Sequence, residues 1–250
     1  MTEIVGTSQD WLRCYRPRPA AAVRLICLPH ASGNASFYRV WLTRLPPSVE
    51  LVAVQYPGRL DRVSEPCLRD MDSMADALTA VLRPLLSRPV ALFGHSMGAA
   101  IAYEVAHRLE HRHGARLARL FVSGCPAPRH HRGGVKHLSG DEVLWGEIHR
   151  LGGTAAGVLD YPELRAALLP VLRADYQLVE TYRPTPGPPL ASPVTALSGD
   201  TDPEARVEEV ADWRDHTHGD FTLKVYPGDH FYLLPHIDSV VAELTGALTR

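Results

Sequence analysis

The chain has 250 residues, of which 45% are hydrophobic, and this is enough for one domain with a sizeable core. Its formal net charge is −2, so the protein has no overall positive charge that would attract nucleic acid or an anionic membrane surface. The four cysteines have no C-x-x-C spacing, and no segment approaches the roughly 18 apolar residues of a membrane span. The first residues lack the basic and apolar regions of a leader, so a cytoplasmic protein is expected.

Short apolar runs alternate with helical patterns in the first half of the chain. Strands are predicted at residues 23–28, 51–54, 90–93 and 120–122, and helices at 37–45, 74–85 and 101–109. Gly114 stands where a glycine would end the last of these helices. Strands that alternate with helices imply right-handed crossovers, so the sequence predicts an α/β fold with a mostly parallel central sheet flanked by helices.

The alternation stops between Cys125 and Ser192. This segment has two helical patterns, one after a capping box at Ser139 and one after Asp160, with Gly152-Gly153 between them. A proline-rich stretch at 184–189 then returns the chain to strand patterns at 193–197 and 221–225. Because an insertion here emerges at the strand ends, residues 127–190 are predicted to form a helical lid within a single domain of residues 1–250.

The pentapeptide Gly94-His95-Ser96-Met97-Gly98 spells G-x-S-x-G between a predicted strand and a predicted helix. A serine nucleophile must be exposed and must be deprotonated by a base. Hydrogen-bond donors must also stabilise the oxyanion that forms when the serine attacks a carbonyl group. A tight strand-to-helix turn exposes Ser96 and directs the N–H of Met97 at the developing charge. The small-residue loop after the first strand makes Ala31 the candidate for the second donor.

A candidate acid and base follow two later strands. Asp200 and Asp202 come after the strand at 193–197, and His230 comes after the strand at 221–225. The chain order Ser, Asp, His is that of α/β hydrolases, in which each group lies beyond the carboxyl end of a parallel strand. Asp202, three residues after Gly199, is predicted to orient His230, and Asp200 to order its loop. His30 precedes the nucleophile and is predicted to order the loop around Ala31.

Several motifs taken together resemble the type II thioesterases that accompany polyketide and nonribosomal peptide synthases. They are Leu28-Pro29-His30-Ala31-Ser32-Gly33, Ser36-Phe37-Tyr38, Val54-Gln55-Tyr56-Pro57-Gly58-Arg59, the serine motif with Ala99, Arg173-Ala174-Asp175-Tyr176 and Pro227-Gly228-Asp229-His230-Phe231-Tyr232. The resemblance implies hydrolysis of stalled or aberrant acyl groups from the phosphopantetheine arm of acyl or peptidyl carrier proteins. It also points to Asp202 as the acid. Ser32 stands where the family more often has glycine.

Two alternatives to this function stay open. A small-molecule carboxylesterase would use the same triad, because nothing in Ser96, Asp202 and His230 selects sulfur over oxygen. A non-catalytic acyl-binding protein is the alternative outside the enzymes, and the intact triad argues against it. A thiol with a pKa of about 8.5 is a good leaving group, so oxyanion stabilisation should carry more of the barrier than general acid catalysis.

The sequence indicates no cofactor. Several basic residues suggest how a carrier protein would dock. An acidic carrier protein, or the phosphate of its arm, is expected to contact Arg59, Arg62, Arg129, Arg132 or Lys136. The sequence His107-Arg108-Leu109-Glu110-His111 spells a zinc-peptidase motif, but it falls at the far end of the helix after the serine. Basic residues at a helix C-terminus explain it more simply, so no metal is predicted.

Overall fold

The computed structural model describes residues 8–151 and 161–249, and its centre is a seven-stranded sheet. The strands are β1 (Leu12–Arg13), β2 (Val23–Leu28), β3 (Val49–Val54), β4 (Val90–His95), β5 (Arg119–Ser123), β6 (Val194–Gly199) and β7 (Phe221–Tyr226). Across the sheet they run in the order β1-β3-β2-β4-β5-β6-β7. All neighbours are parallel except β1 and β3, so the predicted parallel sheet is confirmed and a short antiparallel edge strand is added.

Seven α-helices are seen in the described ranges, together with short 3₁₀ turns. They are α1 (Ser8–Trp11), α2 (Met71–Leu82), α3 (Met97–His113), α4 (Asp141–Leu151), α5 (Pro162–Thr181), α6 (Val207–Ala211) and α7 (Ile237–Leu248). The α3 helix ends at Gly114 in a left-handed conformation with φ of 63°, as its sequence predicts. The helix expected at 37–45 is instead a 3₁₀ helix at Ala35–Trp41. The expectations about Gly152-Gly153, Asp160 and the first seven residues lie outside the described residues.

The central strands are apolar on both faces because each face is covered by helices. In β2, Ile26 and Leu28 belong to a core cluster shared with α2 and α3. Their neighbours Leu25 and Cys27 belong to a second cluster on the opposite face, packed with α7 and the 3₁₀ helix. Strands buried on both sides lack polar alternation, which is why they appear in the sequence as continuous apolar runs.

Helices α4 and α5 lie between β5 and β6 in the chain. A separate apolar cluster joins the two helices, with Leu144 and Trp145 from α4 and Leu169 and Leu172 from α5. The last part of α5 packs into the main core through Leu178. No helix in the described ranges combines the length and the apolar character needed to cross a bilayer.

Candidate active site

Ser96 occupies a strained turn between β4 and α3. Its φ of 54° and ψ of −121° are rare for a residue with a side chain, and such a conformation costs about 1–3 kcal/mol. The Ser96 N–H donates to the carbonyl oxygen of Ser123 at the end of β5, 2.8 Å away, which helps to hold the turn. Gly94 has no room for a Cβ atom because the backbone of Gly98 and Ala99 fills that space. The serine motif therefore forms the tight turn that the sequence predicts.

The loop after β2 lies directly against this turn. A Cβ atom on Gly98 would overlap the carbonyl oxygen of Leu28, so only glycine permits this approach. Ala31, in the same loop, and Met97, the first residue of α3, line one cavity together with Ser96. The structure thus brings the two residues predicted to donate to an oxyanion to the same place as Ser96.

His230 and Asp202 form a buried pair in the loops after β7 and β6. The His230 Nδ1 atom lies 2.8 and 3.0 Å from the two carboxylate oxygens of Asp202. Asp200 is exposed, and its carboxylate accepts the N–H of Gly228 at 2.8 Å. Of the two candidate acids, only Asp202 contacts the histidine, while Asp200 ties the loop after β6 to the loop after β7.

The cavity in front of Ser96 has a volume of about 420 Å³. Ser96 and His230 line it together with residues of α5 and residues 132–136. The α5 residues that contribute are Asp175, Tyr176, Val179 and Glu180. The segment between β5 and β6 therefore encloses the space next to the serine.

A layer of uncharged polar groups lies behind His230. The His95 ring is 5.0 Å from the His230 ring, and its Nδ1 is 2.9 Å from the Ser123 hydroxyl. That hydroxyl is in turn 2.6 Å from the hydroxyl of Tyr232. Burial lowers the pKa of His95, and burial together with nearby His230 lowers the pKa of His30 to about 3. Both imidazoles are therefore neutral near pH 7, and neither places a positive charge beside His230.

His30 lies in the loop after β2 as predicted, packed between aromatic rings. Its ring makes edge contacts with Phe37 at 4.8 Å and with Phe231 at 4.9 Å between ring centres.

Cys125 lies in the same pocket region as Ser96 and His230. Burial and the nearby Asp202 raise the pKa of its thiol to about 12. Cys125 is therefore protonated at neutral pH, and it is a poor competitor of Ser96 as a nucleophile.

Two of the arginines expected to contact a carrier protein are buried, so that expectation is wrong for them. Arg59 forms an ion pair with Asp175, with 2.8 Å between Nη2 and Oδ1. Burial opposes the charge of Arg59, but Asp175 outweighs it and the pKa is raised. Arg62 pairs with Glu65 and donates to the carbonyl oxygen of Gln55. Arg59 was part of a recognised motif, but nothing in the sequence indicated that either charge points inward.

The zinc-peptidase motif at the end of α3 also has a structural role. Glu110 accepts the backbone N–H groups of Ala191 and Ser192 at 2.6 and 3.0 Å, and so anchors the segment that precedes β6. His111 lies 3.1 Å from the carbonyl oxygen of Pro188. Within the described residues, no group of histidine, cysteine and acidic side chains is arranged to hold a metal ion.

Comparison with known proteins agrees with this architecture. The sheet order, the serine turn after β4 and the flanking helices define the α/β-hydrolase class. The chain belongs to the thioesterase family, because the model of the Thioesterase domain matches residues 23–248. It is therefore a thioester hydrolase.

Three relatives illustrate the similarity. A protein of Streptomyces griseus described as a probable cadicidin biosynthesis thioesterase is 48% identical over 248 residues, which is 99% of this chain and 68% of that protein. The structure of the type II thioesterase BorB from the borrelidin biosynthetic cluster is 47% identical, with a TM-score of 0.89 over 96% of this chain and 98% of that one. RedJ, a thioesterase from the prodiginine pathway of Streptomyces coelicolor, is 41% identical, with a TM-score of 0.87 over 93% and 88%.

Proposed function

We propose that this protein hydrolyses acyl groups from the phosphopantetheine thiol of acyl or peptidyl carrier proteins in polyketide or nonribosomal peptide biosynthesis, with Ser96, Asp202 and His230 as its triad. One observation carries this proposal: His230 is hydrogen-bonded to Asp202 and lines the same cavity as Ser96. The similarity to a probable cadicidin biosynthesis thioesterase and to the type II thioesterase of the borrelidin biosynthetic cluster supports the substrate class. The free thiols at all four cysteines fit a reducing compartment, so we place the activity in the cytoplasm.

The reaction follows from the roles of these groups. The Ser96 hydroxyl attacks the thioester carbonyl carbon while His230 Nε2 takes its proton, and Asp202 stabilises the resulting imidazolium. The negative oxygen of the tetrahedral intermediate accepts the N–H groups of Met97 and Ala31. The intermediate collapses, the C–S bond breaks, and His230 returns the proton to the departing thiolate. Water then attacks the acyl-serine ester by the same route and releases the carboxylic acid.

The helical segment at 127–190 acts as a lid over the acyl group. Support comes from α5, whose Tyr176 and Val179 line the same cavity as Ser96. A cavity of about 420 Å³ is within the usual range of small-molecule sites, so a short or medium acyl group fits it. Arg132 and Lys136 also line the cavity, and their side chains are 68% and 40% exposed. These two cations are the ones we assign to the acidic carrier protein.

The test compares acyl-carrier protein, acyl-CoA and a simple oxygen ester of the same acyl group as substrates. We expect the carrier-bound thioester to have the highest kcat/KM, and Ser96→Ala to abolish turnover while the protein remains folded. A fluorophosphonate probe should label the wild type at Ser96. A preference for the oxygen ester would point to a carboxylesterase, and turnover retained in Ser96→Ala would remove the triad assignment.

A further inference from the structure

A buried ion pair joins helix α5 to the loop that carries Ala31. Arg59 contacts both carboxylate oxygens of Asp175, with distances of 2.8 Å and 3.0 Å. The Arg59 side chain is 5% exposed and that of Asp175 is 0% exposed. A paired arginine and carboxylate with two parallel hydrogen bonds have a fixed mutual orientation, so this contact fixes Asp175 in direction as well as in distance.

Both members of the pair also bind the backbone of the loop at residues 29–34. The carboxylate of Asp175 accepts the N–H of Ser32 at 2.7 Å. The Nη1 group of Arg59 donates to the carbonyl oxygen of Gly33 at 3.0 Å. Ser32 has a φ of 61°, a left-handed conformation that is unfavourable for serine and therefore depends on such external bonds. Asp175 therefore holds the peptide group that links Ala31 to Ser32, which directly follows the peptide group that carries the Ala31 N–H.

The two ends of this loop are held independently of α5. The hydroxyl of Tyr56 donates to the carbonyl oxygen of Pro29 at 3.1 Å. The side-chain oxygen of Gln55 accepts the N–H of Ala35 at 3.1 Å. Both anchors come from the two residues that directly follow strand β3. Only the middle of the loop, next to Ala31, is held by a side chain of α5.

We propose that Arg59 and Asp175 are positioning residues that orient the Ala31 N–H toward the oxyanion and make this orientation depend on the position of α5. The proposal rests on the proposed function, because it assumes that Ala31 donates to the oxyanion. Asp175 does not take part in proton transfer. With α5 seated over the cavity, its carboxylate holds the Ala31–Ser32 peptide in place. With α5 displaced, the loop loses the bond between Asp175 and the Ser32 N–H, and the Ala31 N–H is less well placed for the oxyanion.

The test uses Asp175→Asn, which keeps the size of the side chain and removes its charge. Misplacing a catalytic donor by about 1 Å can cost about 10²-fold, so we expect kcat to fall about 10²-fold while KM changes little. An acyl boronic acid that forms a tetrahedral adduct on Ser96 should lose affinity by a similar factor. Arg59→Lys keeps the positive charge but cannot form two parallel bonds, and it should show the same pattern. Arg59→Lys also serves as the test if Asp175→Asn does not fold.

Glu104→Gln is the matched control. Glu104 is a buried carboxylate on α3 that pairs with buried Arg108 at 2.5 Å, and it accepts the hydroxyl of Tyr182 at 2.7 Å just after α5. Outside α3, its contacts are to Tyr182 and Thr185, which follow α5, and it binds neither α5 itself nor the loop at 29–34. We expect this variant to lower the melting temperature while it retains kcat and boronic acid affinity.

Two results would overturn the proposal. One is an unchanged kcat in Asp175→Asn, and the other is a loss of kcat and boronic acid affinity no larger than in Glu104→Gln. Failure of the proposed function would be seen separately. In that case the wild type would not hydrolyse acyl thioesters, or Ser96→Ala would remain active.

Discussion

Replacing Asp202 by asparagine tests the assignment of the acid with little change in shape. The carboxylate is fully buried and accepts the Nδ1–H of His230 at 2.8 and 3.0 Å. Asparagine can turn its NH₂ group toward Nδ1, which favours the tautomer that carries the proton on Nε2. That tautomer cannot accept the proton of Ser96. The change therefore removes the general base without removing the imidazole.

The expected loss is large for Asp202 and small for its neighbour. The same replacement in a serine protease lowers kcat by about 10⁴, which corresponds to about 5 kcal/mol in the activation barrier. Asp200→Asn is the matched control, because the Asp200 carboxylate accepts only the exposed N–H of Gly228 and an amide oxygen can also accept it. A weakened surface hydrogen bond of about 1 kcal/mol changes the rate by less than about tenfold.

The assay follows the thiol released from an acyl-pantetheine substrate with a colorimetric thiol reagent, for the wild type and both variants. Circular dichroism melting curves confirm that each variant is folded. A larger loss of kcat in Asp200→Asn than in Asp202→Asn would refute the assignment. So would a loss in Asp202→Asn that is matched by a loss of folded protein.

Three further predictions concern packing, pH and docking. Gly98→Ala places a methyl group against the carbonyl oxygen of Leu28, and we expect it to lower the free energy of unfolding by about 1–3 kcal/mol; a urea unfolding midpoint equal to that of the wild type would contradict this. The pKa of His30 is about 3 when folded and about 6.5 when unfolded, so the unfolded state binds more protons between these values. The contribution of His30 to stability should be complete above pH 6.5 and fall by about 1.4 kcal/mol per pH unit as the pH falls from 6.5 toward 3. Because the lowered pKa of His95 adds to the same pH dependence, His30→Phe should reduce the slope without removing it, and an unchanged slope in urea titrations at several pH values would contradict this. Arg132→Glu should raise KM for acyl-carrier protein in a salt-dependent manner and leave acyl-pantetheine unaffected, and equal effects on both substrates would exclude the docking role.

The sequence was sufficient for those features that are determined locally. The six longer strands are short, mostly apolar runs, of which β7 is half-buried and partly alternating, and the turn at Ser96 requires the two glycines that flank it at close range. The left-handed cap at Gly114 is likewise a property of one residue. Strand β1 was missed because two residues, Leu12 and Arg13, have no detectable periodicity and pair only with β3.

Long-range polar contacts could not be predicted in the same way. Arg59 and Asp175 are 116 positions apart, and an isolated arginine in a sequence usually indicates an exposed side chain. This assumption led to the incorrect expectation that Arg59 would contact a carrier protein. Burial of an arginine requires a carboxylate placed by another element, and only the folded chain shows that α5 provides it.

Ser96 and Ser32, both next to the cavity, have strained backbone conformations that are stabilised in the same way, by a hydrogen bond with another element. Ser96 and Ser32 have φ values of 54° and 61°, and both are unfavourable for a residue with a Cβ atom. Each backbone N–H is bound by a different element, Ser96 by the carbonyl oxygen of Ser123 and Ser32 by the carboxylate of Asp175. The sheet supplies the first bond and the helical insertion supplies the second. The nucleophile is therefore fixed whenever the sheet is intact, whereas the geometry of the loop that carries Ala31 also requires α5 to be in place.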